Sequence, residues 1–373
     1  MKAFSIPLKV RIRRMDLVLA AAVMSLSLLS ILTLVSGVET FGMSRVIIQI
    51  FAVIIGAASM LIFSFYDYEE AAKKFWIPLI VFSVLLLAFT ALFGSSEGTN
   101  SAWIRFGPIG IQPSEFVKLA FIISFARHLD YAKDNINHIK NVALLLLHAG
   151  IIAGAVLLTG DMGSSLVFLV IALVMMFCAG LTLWYFAGFL ALGVIAFPFV
   201  WSILAEYQRQ RILVGFNPEL DPYGTGHQAL TSRQAIASGG FFGNGFSGGS
   251  VYKSLFASST DFMLSTILEK FGFMAGLIVM ALMCVIVFRV IKVGFNAKRP
   301  MGSYMCAGVA ALVVAQTVEN VGMCLAMLPV VGITLPFLSY GGSSILSMFM
   351  IMGLVQSVQA NSNKFNFDRD TSE

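Results

Sequence analysis

The sequence predicts an all-α polytopic membrane protein of about ten transmembrane helices, with one long extracytoplasmic loop between helices seven and eight. Hydrophobic residues make up 58% and charged residues only 12% of its 373 positions, against roughly 45–50% and 25% in soluble domains. The apolar residues come in blocks near the ~20 that a helix needs to cross a bilayer. Lys and Arg gather in alternate gaps between those blocks, as cytoplasmic loops do. A single integral membrane domain over 1–373 follows, with 205–261 as its external loop.

Taken in order, the expected spans are Leu17–Val35, Val46–Phe65, Phe75–Phe93, Pro113–Leu129, Asn141–Leu158, Ser164–Ala179, Leu183–Leu204, Phe262–Ile291, Ser303–Leu328 and Ser343–Val358. The first block is long and lacks an A-x-A cleavage site, so it reads as a span rather than a secretory signal. A cytoplasmic N-terminus puts Lys2, Lys9, Arg11, Arg13, Arg14, Lys73, Lys74, Arg127, Lys133, Lys140, Arg289, Lys292, Lys298, Arg299, Lys364 and Arg369 on one face. The short external loops keep only Arg45 and Arg105. Both termini are then cytoplasmic. The net charge of +5 follows from this bias and calls for no nucleic-acid partner. The four cysteines lie singly in or beside apolar blocks, a pattern of neither zinc nor disulfides.

Charges within the spans carry the next layer, because a charge at the bilayer centre costs at least ~2.5–3.5 kcal/mol on insertion scales. Glu115 and Lys118 open the fourth span three residues apart, on one helix face. They are either a neutralised pair that lets the helix insert or the wall of an external cavity. Asp161 is a helix cap by position, yet shares the side of the long loop. Gln316, Glu319 and Asn320 form a polar stripe on the ninth span, suited to helix packing or to a cavity. The run from Leu328 to Ser344 is broken by prolines and glycines but stays apolar, which predicts a re-entrant segment shielded by protein or lining a cavity. It ends at Gly341, Gly342 and Ser343, where free helix N–H groups suit an anion or serve ordinary capping. Thr260 and Asp261 stand where the loop enters the eighth span. Asp261 is a cap or a general base, and Arg209, Arg211, Arg233 and Lys253 are basic residues on the same face, either solvated or phosphate-binding.

Five motifs resemble the SEDS proteins, the RodA/FtsW group: Gln112-Pro113-Ser114-Glu115 with Lys118, Asp221-Pro222 with Gly224, Gly226 and Gln228, Ser238-Gly239-Gly240 with Gly243 and Gly245, Thr260-Asp261-Phe262, and Pro336-Phe337 with Ser339-Tyr340-Gly341-Gly342-Ser343-Ser344. Trp103, Ile104 and Gly107 fit the stretch before the first motif, and short termini favour the RodA branch. The resemblance implies a peptidoglycan glycosyltransferase that polymerises lipid II at the outer face of the bacterial cytoplasmic membrane, with inversion and release of undecaprenyl pyrophosphate. It implies a class B penicillin-binding protein as partner. Asp261 takes the family's essential Asp and is the expected base. Glu115 and Lys118 take its cavity pair and complete the catalytic candidates, with Lys118 and Arg209 or Arg211 expected to stabilise the leaving pyrophosphate, and Asp161 takes its inter-span Asp. As substrate-binding candidates we add Asp161, Arg209, Arg211, Gln228, Ser339, Gly341, Gly342 and Ser343, with a divalent cation (Mg or Mn) as a possible aid and no metal ligands assigned.

The chain departs from the family at Phe256-Ala257-Ser258-Ser259, where Pro-Glu-x-His is usual, at Lys270 for an acid, at Ala102 for Arg, and at Thr159-Gly160 where Pro precedes the Asp. Two rival readings are a lipid II flippase and a silent scaffold for a penicillin-binding protein. Transporters favour midplane sites, whereas the suggestive residues here cluster externally.

Overall fold

The computed structural model describes residues 14–97, 100–106, 109–204 and 206–362. Lys2, Lys9, Arg11, Arg13, Lys364, Arg369, Gly107 and Ala205 lie outside them, as does the side chain of Arg211. Ten helices correspond to the expected spans: α1 (Leu17–Ser36), α2 (Met43–Phe65), α3 (Tyr68–Phe93), α4 (Pro113–Ala132), α5 (Ile139–Leu158), α6 (Met162–Cys178), α7 (Leu183–Ile203), α10 (Met263–Phe295), α11 (Pro300–Cys324) and α12 (Gly342–Ala360). The long loop is itself structured, with α8 (Glu206–Phe216) and α9 (His227–Gly239). A small antiparallel sheet, β1 (Ser95–Glu97), β2 (Asn100–Phe106) and β3 (Ile109–Ile111), joins α3 to α4.

Eight of the ten are long and apolar enough to cross a membrane. Of the other two, α6 is apolar but has 17 residues, and α4 carries Glu115, Lys118, Arg127, His128 and Asp130. Helix starts follow local chemistry. Asp16, Asp67 and Asp161 cap α1, α3 and α6 through their carboxylates. Pro113 and Pro300 occupy the first positions of α4 and α11, where a missing N–H costs nothing.

The centre of the bundle is α11 and α12, with 78% and 83% of their apolar windows buried, whereas α7 buries none of its own. Small residues permit the closest approaches. A Cβ at Gly56 of α2 would stand 2.8 Å from Phe349 of α12, and one at Gly353 would stand 2.6 Å from Phe63.

α10 is not continuous. Gly272 (φ 77°) breaks it, and the loop segment 240–245 fills the break. Asn244 and Gly245 donate to the carbonyls of Glu269 and Lys270 at 3.0 Å, while Phe273 and Met274 donate to those of Gly240 and Phe241 at 3.0 and 3.3 Å. Backbone groups freed within a membrane helix need such partners. Two buried side chains hold the rest of the loop. Glu269 accepts from the backbone N–H groups of Ser250, Val251 and Tyr252 at 2.6–2.8 Å. The Lys270 ammonium donates to the carbonyls of Ser36, Phe246 and Gly248 at 3.1–3.3 Å and lies 4.6 Å from the centre of the Tyr252 ring.

Candidate active site

The segment before α10 is tied down carbonyl by carbonyl. Ser258 accepts from the Thr266 hydroxyl at 2.8 Å, Ser259 from the Tyr340 N–H at 2.8 Å, Thr260 from the Ser339 hydroxyl at 2.7 Å, and Asp261 from the Asn320 amide at 2.7 Å. The same Asn320 nitrogen donates to Ile333 at 2.6 Å. These bonds join the end of the long loop to the re-entrant segment and to α11.

That re-entrant segment runs through 328–341 without regular structure, as its prolines and glycines predict. Phe337 takes a left-handed conformation (φ 63°) and is fully buried against Phe349. The Ser339 hydroxyl accepts from Leu335 N–H at 2.8 Å while donating to Thr260, and Gln49 of α2 donates to the Ser339 carbonyl at 3.3 Å. Gly332 (φ 76°) leaves room for the base candidate: a Cβ there would stand 3.5 Å from Asp261 Oδ2. Burial pushes the Asp261 carboxyl up to about 6, with the Thr260 hydroxyl opposing the shift and the charge of Asp161 adding to it.

A second group surrounds the start of α4. Asp161 Oδ1 caps α6 through Ser164 N–H at 2.9 Å, and Oδ2 accepts from Gln112 Nε2 at 2.9 Å and from the Ser114 hydroxyl at 3.4 Å. Gln112 N–H donates to Ser343 Oγ at 3.3 Å. Behind it Glu115 and Lys118 form a fully buried pair at 2.6 Å, and the Ser347 hydroxyl of α12 donates to the other Glu115 oxygen at 3.1 Å. Electrostatic interaction links Asp161 to both Asp261 and Glu319, and Glu319 to Lys118. Helices α4, α6, α10 and α12 therefore begin close together, and first-turn N–H groups carry partial positive charge.

Several sequence candidates stand elsewhere or have other partners. Arg209 donates to the carbonyls of Trp201 and Ser202 at 2.9 and 2.8 Å, closing the end of α7. Gln228 accepts from Phe256 N–H at 2.9 Å and holds the loop to α9. Gly341 N–H donates to Gln49 Oε1 at 3.4 Å, and Gly342 opens α12 with no atom crowding its Cβ position. Arg233 pairs with Glu219 at 3.0 Å on an exposed surface.

Sequence reasoning passed over Arg45. Its guanidinium donates to Ser259 Oγ at 3.1 Å and lies 5.9 Å from the centre of the Tyr340 ring. The signal was present, since a cation on a short loop expected to be external runs against the charge bias. Gln316 Oε1 and Glu319 Oε2 are buried without a hydrogen-bond partner. Among the described residues no three His, Cys, Asp or Glu converge on a metal position.

Beside these helix starts runs an apolar groove of about 640 Å³ between α3 and α4, closed by Ile104 and Ile111 of the sheet and reaching Pro113, next to Gln112. Phe82, Phe89, Phe116 and Met350 line it.

Residues 12–364 match the profile of the FtsW/RodA/SpoVE cell cycle proteins. The chain is 32% identical over 320 residues to a probable peptidoglycan glycosyltransferase FtsW of Trichlorobacter lovleyi, covering 84% of this chain and 82% of the relative. It is 35% identical over 286 residues to stage V sporulation protein E of Bacillus subtilis, covering 75% and 76%. Its fold overlays a chain from a peptidoglycan synthase complex in which polymerization and crosslinking are coordinated, with a TM-score of 0.82, 28% identity and 92% and 97% coverage. It also overlays the Thermus thermophilus rod shape determining protein RodA, with a TM-score of 0.71, 23% identity and 94% and 98% coverage. A profile match across nearly the whole chain, on a multi-pass helical membrane fold shared with RodA, makes this protein a member of the FtsW/RodA/SpoVE family.

Proposed function

We propose that the chain is a peptidoglycan glycosyltransferase that polymerises lipid II at the outer face of the bacterial cytoplasmic membrane, with its termini cytoplasmic. The observation that carries this reading is the gathering of four helix N-termini near Asp261 and Asp161, with an apolar groove that reaches Pro113 at the start of α4. A diphosphate on a polyprenyl chain suits that combination. The N-termini favour the anion, and the groove takes part of the tail.

In the reaction the 4-hydroxyl of one lipid II sugar attacks C1 of the growing chain. The C1–O bond to the diphosphate breaks, undecaprenyl pyrophosphate leaves with the electron pair, and C1 is inverted. Asp261 accepts the hydroxyl proton. A carboxylate raised to about 6 is still ionised at neutral pH yet more basic than a free one. Lys118 is committed to Glu115, so its charge acts as a field within the wall. Arg45, an exposed residue that reaches Ser259, supplies a cation for the leaving group. Arg209 is spent on the end of α7 and is given no part in the reaction, and Arg211 lies two residues further along α8. Mg²⁺ or Mn²⁺ would enter bound to the diphosphate, since the described residues form no cage of their own, and no step is assigned to it. The partner is a class B penicillin-binding protein that cross-links the product.

Purified protein with lipid II in detergent, with and without that partner, tests the reading. Polymer is expected from the wild type and none from Asp261→Asn. A well-folded Asp261→Asn that polymerises at the wild-type rate removes the base assignment. A wild type silent even with its partner overturns the activity. Detergent also excludes flipping as the source of signal, because flipping needs a sealed bilayer.

A further inference from the structure

The polar stripe of α11 has one member whose geometry goes beyond helix packing. Asn320 is fully buried, and its amide nitrogen spends both hydrogens on backbone carbonyls of different segments: Asp261 at 2.7 Å and Ile333 at 2.6 Å. One turn later Cys324 Sγ lies 3.7 Å from the same Asp261 carbonyl and 3.8 Å from Asn320 Oδ1. Ile333 follows Gly332, the residue whose bare Cα faces the Asp261 carboxylate. One amide therefore spans the base-bearing segment and the peptide that the base lies against. Ser339 and Tyr340 fix Thr260 and Ser259 to the re-entrant segment, but only Asn320, among the described residues, bonds the Asp261 main chain to a side chain of the helical core through an amide.

We propose that Asn320 is a positioning residue for glycosyl transfer, setting the distance between the Asp261 carboxylate and the re-entrant wall. The inference rests on Asp261 as general base. An Asn side chain suits the task because it offers two coplanar N–H donors on a short stem with few rotamers. Removing it leaves the buried Ile333 carbonyl without its donor and the Asp261 carbonyl with only the weak Cys324 S–H, and frees the segment to shift. Asn320 touches no substrate atom on this reading, so its loss acts on the chemical step and not on lipid II capture.

The test compares Asn320→Ala, Asn320→Ser and Asp261→Asn in initial-rate polymerisation of lipid II by the full-length protein with its partner. For Asn320→Ala we expect kcat to fall by about a hundredfold, the scale for a misplacement near 1 Å, with KM for lipid II unchanged and the low-pH limb of the rate profile moved. Asn320→Ser, which restores one donor, should recover part of kcat. Ser232→Ala is the structural control: Ser232 donates to the Cys324 carbonyl at 2.7 Å and shares 2.6 Å with Ser265, so it loosens the same helix end without touching Asp261. It should lower thermal stability and leave kcat in place. A wild-type kcat in Asn320→Ala, or an equal fall in Ser232→Ala, overturns the proposal. If Asn320→Ala does not fold, Asn320→Ser decides alone: wild-type kcat and pH profile overturn the proposal, and a partial loss supports it. An active Asp261→Asn removes the base reading itself, whereas an inactive Asp261→Asn beside an undiminished Asn320→Ala removes only the positioning role.

Discussion

Among the described residues two Glu/Lys sets are buried, and they work in opposite ways. Glu115 and Lys118 are three residues apart on α4, share a face, and meet at 2.6 Å. Glu269 and Lys270 are adjacent on α10, point apart, and each holds backbone: one collects three N–H groups, the other three carbonyls. The first set satisfies itself. The second is satisfied only when the loop has folded onto it. Spacing separates a pair that neutralises itself within one helix from two charges that fasten a loop.

Breaking the second set should have the largest effect. Glu269→Ala strands three backbone N–H groups at once, each at a cost of about 1–3 kcal/mol. Thermal unfolding in detergent, with proteolysis at 246–252, reads it. The first set should tolerate neutralisation. Lys118→Met alone strands Glu115, but Glu115→Gln with Lys118→Met should recover stability to within ~1 kcal/mol of wild type while polymerisation stays low. The matching double change at Glu269 and Lys270 should not recover. Equal recovery in both would erase the distinction.

The smallest effect lies in pH. Asp261 belongs to neither set, and burial raises it from 3.8 to about 6. Between those values the folded state binds the proton more tightly than the unfolded chain, so this contribution to stability is full below 3.8 and is lost as pH rises through about 6. Asp261→Asn should therefore flatten the dependence and raise the thermal midpoint above pH 6, while abolishing the polymerisation that increases over the same range. A pH-independent midpoint in the wild type would contradict the burial of this carboxyl.

Much of this was legible in the sequence. Ten apolar runs gave the ten helices, because bilayer thickness dictates their length. The re-entrant segment showed in Pro329, Gly332 and Pro336, which forbid a helix where the composition stays apolar. What failed to show was direction. Arg209 reads as a headgroup cation, yet it turns back to cap α7 at Trp201 and Ser202, a choice made by an unsatisfied helix end that periodicity does not register. Lys270 reads as a lost acid. Its three carbonyl partners come from residues 36, 246 and 248, too scattered along the chain for any motif to bring together.

The break at Gly272 has a consequence for how this chain is built and how it can be altered. The strip that mends it, 240–245, lies upstream, so during synthesis its donors and acceptors leave the ribosome before the helix they complete. The helix then arrives at a partner already present. An epitope or reporter placed within 240–249 would cut a transmembrane element in two while seeming to touch only a loop. At Tyr223, exposed on the turn between Asp221 and Gly226, the same insertion would meet solvent alone.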